Sequence, residues 1–208
     1  MLEELLAGVV SGMGGAVLVA GEPGIGKTAL LVRALGGAGV SGCALGWGAA
    51  DELGQRLPLW VMARCLAAAG ASAETGGRRV GEVGLAGGAE RASLAGPAWP
   101  VPPGDPVAPE VERLLARVDW LCAGSPVVLV VEDLQLADEA SLLAWQRLAA
   151  AVGQVPLLLA GSVRPGTGRE ELGRLRRGLG LARSTWRGRG AGVAAGAAGR
   201  AGVADAAG

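Results

Sequence analysis

The chain has 208 residues, half of them hydrophobic, and its 19 basic and 19 acidic side chains cancel to zero formal charge at pH 7. That length and apolar content suit one substantial core, whereas the lack of a basic field and an aromatic set of six tryptophans argue against direct nucleic-acid binding by this segment. Three scattered cysteines without a histidine cannot complete a zinc or haem site. No apolar run approaches the roughly 18 residues of a membrane span, and the acidic opening Met1-Leu2-Glu3-Glu4 is unlike a secretory signal, so a cytoplasmic chain with reduced thiols and no membrane partner is expected.

Leu2, Leu5, Leu6, Val9 and Val10 recur at helical spacing, and the glycines at 12, 14 and 15 end that pattern ahead of a short buried strand, Ala16-Val17-Leu18-Val19-Ala20. Directly after it comes Gly21-Glu22-Pro23-Gly24-Ile25-Gly26-Lys27-Thr28, a full match to the phosphate-loop (Walker A) pattern G-x-x-x-x-G-K-[ST]. Lys27 is the only lysine and Ile25 the only isoleucine. In a composition biased against lysine, the one ammonium stands in the one loop whose chemistry uses it. Inward-turned N–H groups of such a loop hold a β-phosphate, and the dipole of the following helix adds to the attraction. Gly21, Gly24 and Gly26 permit the loop's shape, Glu22, Pro23 and Ile25 complete it, Lys27 is placed to bridge β- and γ-phosphates, and the Thr28 hydroxyl to ligate Mg²⁺. The implied ligand is ATP with Mg²⁺.

A helix over 28–35 closes at Gly36-Gly37, a weak strand covers 43–47, and a helix over 57–69 places Leu59, Met62, Leu66 and Ala69 on one side. The Gly-, Ala- and Pro-rich stretch 70–109 reads as an irregular, partly disordered insertion. Val111, Leu114, Leu115, Val118 and Leu121 define an amphipathic helix over 110–122, and 127–131 is an unbroken apolar run suited to a central parallel strand. That strand ends in Glu132-Asp133 (Walker B in type), which is either a solvated acidic turn or a pair set to hold the Mg²⁺ shell and polarise water. Asp138 caps the next helix, which carries Leu142, Trp145, Leu148 and Val152 and stops at Gly153. A strand over 155–160 leads to Ser162 and Arg164, the arginine being either a γ-phosphate contact or a surface residue. A basic helix over 169–179 has Arg174, Arg176 and Arg177 on a solvated face. Alternating strands and helices indicate an α/β, three-layer P-loop NTPase fold over 1–180 with a mostly parallel sheet. Residues 181–208, dominated by Ala, Gly, Arg and Val without a large apolar anchor, read as a disordered low-complexity tail or as the out-of-frame product of a GC-rich gene.

Four stretches together resemble the ATPase domain of large ATP-binding LuxR-type transcriptional regulators, within the signalling AAA-like NTPases. They are the segment from Gly15 through Thr28, Asp51-Glu52-Leu53-Gly54-Gln55-Arg56-Leu57-Pro58-Leu59, Val130-Val131-Glu132-Asp133-Leu134-Gln135-Leu136-Ala137-Asp138-Glu139-Ala140-Ser141-Leu142, and Leu157-Leu158-Leu159-Ala160-Gly161-Ser162-Val163-Arg164-Pro165. The resemblance implies a slowly hydrolysing ATP·Mg²⁺ switch, with Glu132, Asp133 and Arg164 catalytic and Thr28 and Asp133 on the metal. It also implies partners in a longer parent protein, through self-association or contacts with a sensor domain. The alternative is a non-hydrolysing, nucleotide-gated interaction module or an inert fragment. Against the family pattern, the chain opens inside the first helix, past the Gly-Arg-Glu segment where adenine docks. Little beyond Ser184-Thr185-Trp186 is available after the basic helix for a fifth strand. A domain truncated at both ends, with its phosphate-loop strand at or near the sheet edge, is the resulting expectation.

Overall fold

The computed structural model describes residues 2–74, 107–164 and 172–173, and the backbone path of 191–196. Its strands are β1 (Gly15–Gly21), β2 (Ala44–Ala49), β3 (Val127–Glu132), β4 (Leu157–Val163) and β5 (Ala191–Gly196). Its helices are α1 (Leu2–Val10), α2 (Lys27–Leu35), α3 (Trp60–Glu74), α4 (Ala108–Gly124) and α5 (Glu139–Ala151). The strands join in one sheet of order β2-β3-β4-β1-β5, with the first four mutually parallel.

The apolar runs of β1, β3 and β4 follow from burial on both faces. Successive side chains alternate between two cores. Leu18, Leu129, Val131 and Leu159 pack on one side with Met62, Val111 and Trp145 from α3, α4 and α5. Val17, Val19, Val128, Val130, Leu158 and Ala160 pack on the other with Val9 of α1 and with Leu31 and Leu35 of α2. The result is the three-layer α/β arrangement expected from the sequence.

Several boundaries move for identifiable reasons. The third helix starts at Trp60 instead of 57, because Pro58 disfavours a helical residue before it and Leu59 adopts a left-handed φ of 61°. It continues through Gly70 to Glu74, so the irregular stretch begins later than expected. α4 takes Pro109 into its first turn, where a missing N–H costs no helical hydrogen bond. Residues 75–106 lie outside the described residues. β4 begins at Leu157 and runs on through Ser162 and Val163, which brings Ser162 into the strand. Gly46 lets α3 settle directly on β2: a Cβ there would lie 2.2 Å from the Cys65 carbonyl oxygen.

The sheet edge requires a correction. A fifth strand is present, but it comes from Ala191–Gly196 within the expected tail, and it runs antiparallel to β1 with Ala16 opposite Gly196 and Gly21 opposite Ala191. β1 is therefore an interior strand. Strand pairing uses backbone N–H and C=O groups, which a segment of Ala, Gly and Val supplies as any other does. The basic helix over 169–179, apart from buried Leu172 and its neighbour, and the rest of 181–208 lie outside the described residues.

Cys43, Cys65 and Cys122 are buried free thiols. Burial raises the Cys43 pKa, pushes Cys65 up to about 12 and Cys122 up to about 11. The folded state thus favours the neutral thiol, and that contribution is complete below the ordinary value of 9.0 and is lost as pH rises from there towards 12. With no tyrosine and a single lysine, little else titrates in this window. Denaturant unfolding is expected to give constant stability up to about pH 9 and a decline above it, with a shallower decline in Cys65→Ala.

Candidate nucleotide-binding site

The carboxyl ends of the four parallel strands converge on one edge of the sheet, the position where open α/β folds bind ligands. The loop from β1 to α2 carries Gly24 at φ 77° and Gly26 at φ 92°, left-handed conformations that glycine adopts without a Cβ penalty. Gly26 is the N-cap of α2, and its carbonyl accepts the Leu30 N–H at 2.9 Å. The unpaired N–H groups of the first helical turn therefore face the loop. Lys27, the first residue of α2, turns its ammonium back into the loop and donates to the carbonyl oxygens of Gly21 at 2.9 Å and Glu22 at 3.0 Å.

Thr28 and Glu132 meet although β4 lies between their strands. Adjacent strands are about 4.8 Å apart, so β3 is roughly 10 Å from β1, and the span is closed by the long Glu132 side chain together with the first turn of α2. The Thr28 hydroxyl donates to Glu132 Oε2, and the Trp47 indole N–H donates to Glu132 Oε1 at 2.8 Å. Strand parity explains the meeting. Val128, Val130 and Glu132 share the face covered by α1 and α2, and so do Leu45 and Trp47 on β2.

Asp133, expected as the metal acid, faces elsewhere. It follows the strand in a left-handed conformation with φ 52° and leads into the 3₁₀ turn Leu134–Leu136. Its N–H donates to Ser162 Oγ at 3.0 Å, its Oδ1 accepts from Gln135 Nε2 at 2.7 Å, and Arg164 Nε lies 3.5 Å from that same oxygen. The buried Gln135 also accepts the Arg164 backbone N–H at 3.0 Å. Ser162 and Arg164 therefore stand with Asp133, whereas Glu132 stands with Thr28. No sequence pattern marks Trp47 or Gln135 as a site residue, because both contacts arise only when β2, β3 and β4 are side by side.

A magnesium ion suits this donor set. A threonine hydroxyl and a carboxylate converge beside a loop built for phosphate, and Mg²⁺ characteristically takes one or two protein oxygens with substrate phosphates and water supplying the rest. The described residues contain no group of three or more His, Cys, Asp or Glu side chains able to hold a metal by themselves. Among the described residues, no helix is long and apolar enough to cross a membrane.

A family model described as an AAA ATPase domain matches residues 1–160, which is 160 of the 208 residues. No curated protein and no solved structure matches the chain.

Proposed function

The chain belongs to the AAA ATPase domain family, and from that premise we propose that it is an ATP·Mg²⁺-binding, slowly hydrolysing switch domain of a transcriptional regulator. Nucleotide binding is the general property of the family. The convergence of Lys27, Thr28 and Glu132 at the end of the sheet is the observation that carries the reading for this chain. The regulator role is supported by the four sequence stretches that resemble LuxR-type ATPases, in particular the Asp133-Leu134-Gln135-Leu136-Ala137-Asp138 continuation.

Thr28 and Glu132 would hold the Mg²⁺ ion, which when bound would offset the negative charge of the phosphates. Lys27 holds the phosphate oxygens from within the loop, and Thr28 presents its hydroxyl to the ion. Glu132, in contact with Thr28, takes the metal-side role in place of Asp133. Asp133 is the better candidate for orienting the water that displaces ADP from the γ-phosphorus, and Arg164, which already touches it, for contacting the γ-phosphate. Slow turnover fits an acid whose oxygen is shared with Gln135 and Arg164.

Fluorescent ATP-analogue binding and phosphate release from the same protein test this division of roles. Glu132→Gln is expected to weaken Mg²⁺-dependent binding by roughly tenfold. Asp133→Asn is expected to leave affinity within about twofold and to lower turnover by at least about tenfold. If neither substitution alters phosphate release, hydrolysis does not occur at this site, and the non-hydrolysing, nucleotide-gated module becomes the better description. Absence of ATP binding by the unmodified chain would refute the proposal outright.

A further inference from the structure

We propose that Trp47 is a positioning residue of the metal site, which fixes the Glu132 carboxylate so that its second oxygen, Oε2, faces Thr28; this rests on the ATP·Mg²⁺ reading above. Trp47 lies on β2, the strand next to β3, with Val130 as its register partner. Its ring is half-buried against the core under α1 and α2, which sets the direction of the indole N–H. Indole nitrogen is a donor only and carries no charge at any ordinary pH. Its hydrogen bond at 2.8 Å therefore goes to the carboxylate and to one of its oxygens, Oε1.

With Oε1 held, rotation about the terminal bond of Glu132 is restricted and Oε2 is left on the Thr28 hydroxyl. A glutamate has three side-chain torsions to order before it can serve an ion, and a surface glutamate would lose that entropy at each binding event. The indole imposes most of the ordering in advance. It has the role of an outer-shell partner, which orients a ligand without touching the ion and whose loss typically lowers metal affinity by about 10- to 100-fold. A tryptophan suits the position because one side chain offers both a large apolar body for the core and a polar tip at the strand end.

Trp47→Phe keeps the body and removes the N–H. ATP binding measured by calorimetry in EDTA, and again across a Mg²⁺ titration, separates the two contributions. The variant should bind ATP in EDTA as the unmodified chain does, while the Mg²⁺ concentration giving half of the magnesium-dependent gain in affinity rises about tenfold. In a Glu132→Ala background, Trp47→Phe should cause no further rise, because the carboxylate it orients is gone. An unchanged Mg²⁺ requirement, or an equal further rise in the Glu132→Ala background, would overturn the proposal. Equal weakening with and without Mg²⁺ would also overturn it and assign the indole to packing. An unmodified chain that binds no ATP in either condition sinks the ATP reading itself, whereas normal Mg²⁺-dependent binding with an indifferent Trp47→Phe sinks only this inference.

Discussion

Lys27→Ala is expected to weaken ATP·Mg²⁺ binding by about two orders of magnitude while leaving the free protein's melting temperature within about 2 °C. Charge-assisted hydrogen bonds to phosphate are worth about 1.5–3 kcal/mol each, and about 2.7 kcal/mol corresponds to a factor of 100. In the free protein, among the described residues, the ammonium donates to the carbonyls of Gly21 and Glu22 in a loop open to solvent, where water can replace it. The binding and folding effects therefore separate. At an ATP concentration of 100 times the wild-type Kd, linkage stabilises the wild type by about 2.7 kcal/mol, and a variant 100-fold weaker gains about 0.4 kcal/mol. For a domain of this size that is a thermal shift of roughly 5–10 °C against about 1 °C. Lys27→Arg should behave much like the alanine variant. Every other basic side chain in the chain is arginine, yet a planar guanidinium is too broad to replace a compact ammonium set between two carbonyls. An undiminished ligand-induced shift in Lys27→Ala would exclude Lys27 from phosphate binding, and one in Lys27→Arg would show that a guanidinium fits the loop.

Local features of this chain were readable from sequence, and features made by strand pairing were not. The Gly21–Thr28 loop, the apolar run of β3 and the Asp138 cap depend on residues a few positions apart, and each lies where the sequence places it. The contact of Trp47 with Glu132 spans 85 positions and needs β2 beside β3. The different surroundings of Glu132 and Asp133 arise from parity and from the turn. Only the residue in step with Val128 and Val130 faces α2, and Asp133 leaves the strand in a left-handed conformation towards Ser162. From sequence the two acids differ by one methylene and one position, which does not reveal which faces α2. The fifth strand escaped notice for the opposite reason. Residues 191–196 carry no large apolar anchor in sequence, yet their backbone pairs along β1.

These pairings give the two acids different neighbours, which is the basis for the separate roles proposed for them. Glu132 is tied to the phosphate loop and to β2, and Asp133 to the exit of β4 through Ser162, Gln135 and Arg164. A side-chain change at Arg164 therefore reaches Asp133 through the ion pair, while the backbone link to Gln135 is kept, and neither route passes through Glu132. That separation is why binding and turnover are expected to respond differently to substitutions at the two neighbouring positions.

Asp138→Ala is expected to destabilise the fold by about 3–5 kcal/mol, the largest stability effect of any single side chain considered. Asp138 is buried, and its Oδ1 accepts both the Leu59 N–H at 2.9 Å and the Ser141 N–H at 2.8 Å, while Oδ2 accepts the Ser141 hydroxyl at 2.6 Å. One carboxylate thus caps α5 and anchors the residue that precedes α3. Loss of an N-cap costs about 0.5–2 kcal/mol, and each buried donor left without a partner costs about 1–3 kcal/mol. Leu59 adds a further reason. Its φ of 61° is rare for a branched side chain and is sustained by surrounding contacts, among them the Asp138 hydrogen bond and a buried leucine side chain. Without the carboxylate, the turn at 57–59 loses a main restraint and the start of α3 loosens from α5. Asp138→Asn retains an acceptor at Oδ1 and should lose only about 1–2 kcal/mol. Urea unfolding of the three proteins at one pH checks the order, and an alanine variant within about 1 kcal/mol of the unmodified chain would mean that other contacts hold the Leu59 turn. Because total stabilities are about 5–15 kcal/mol, the alanine variant should also melt about 10 °C lower, and it should still bind ATP at low temperature if the lesion is confined to the α3–α5 junction.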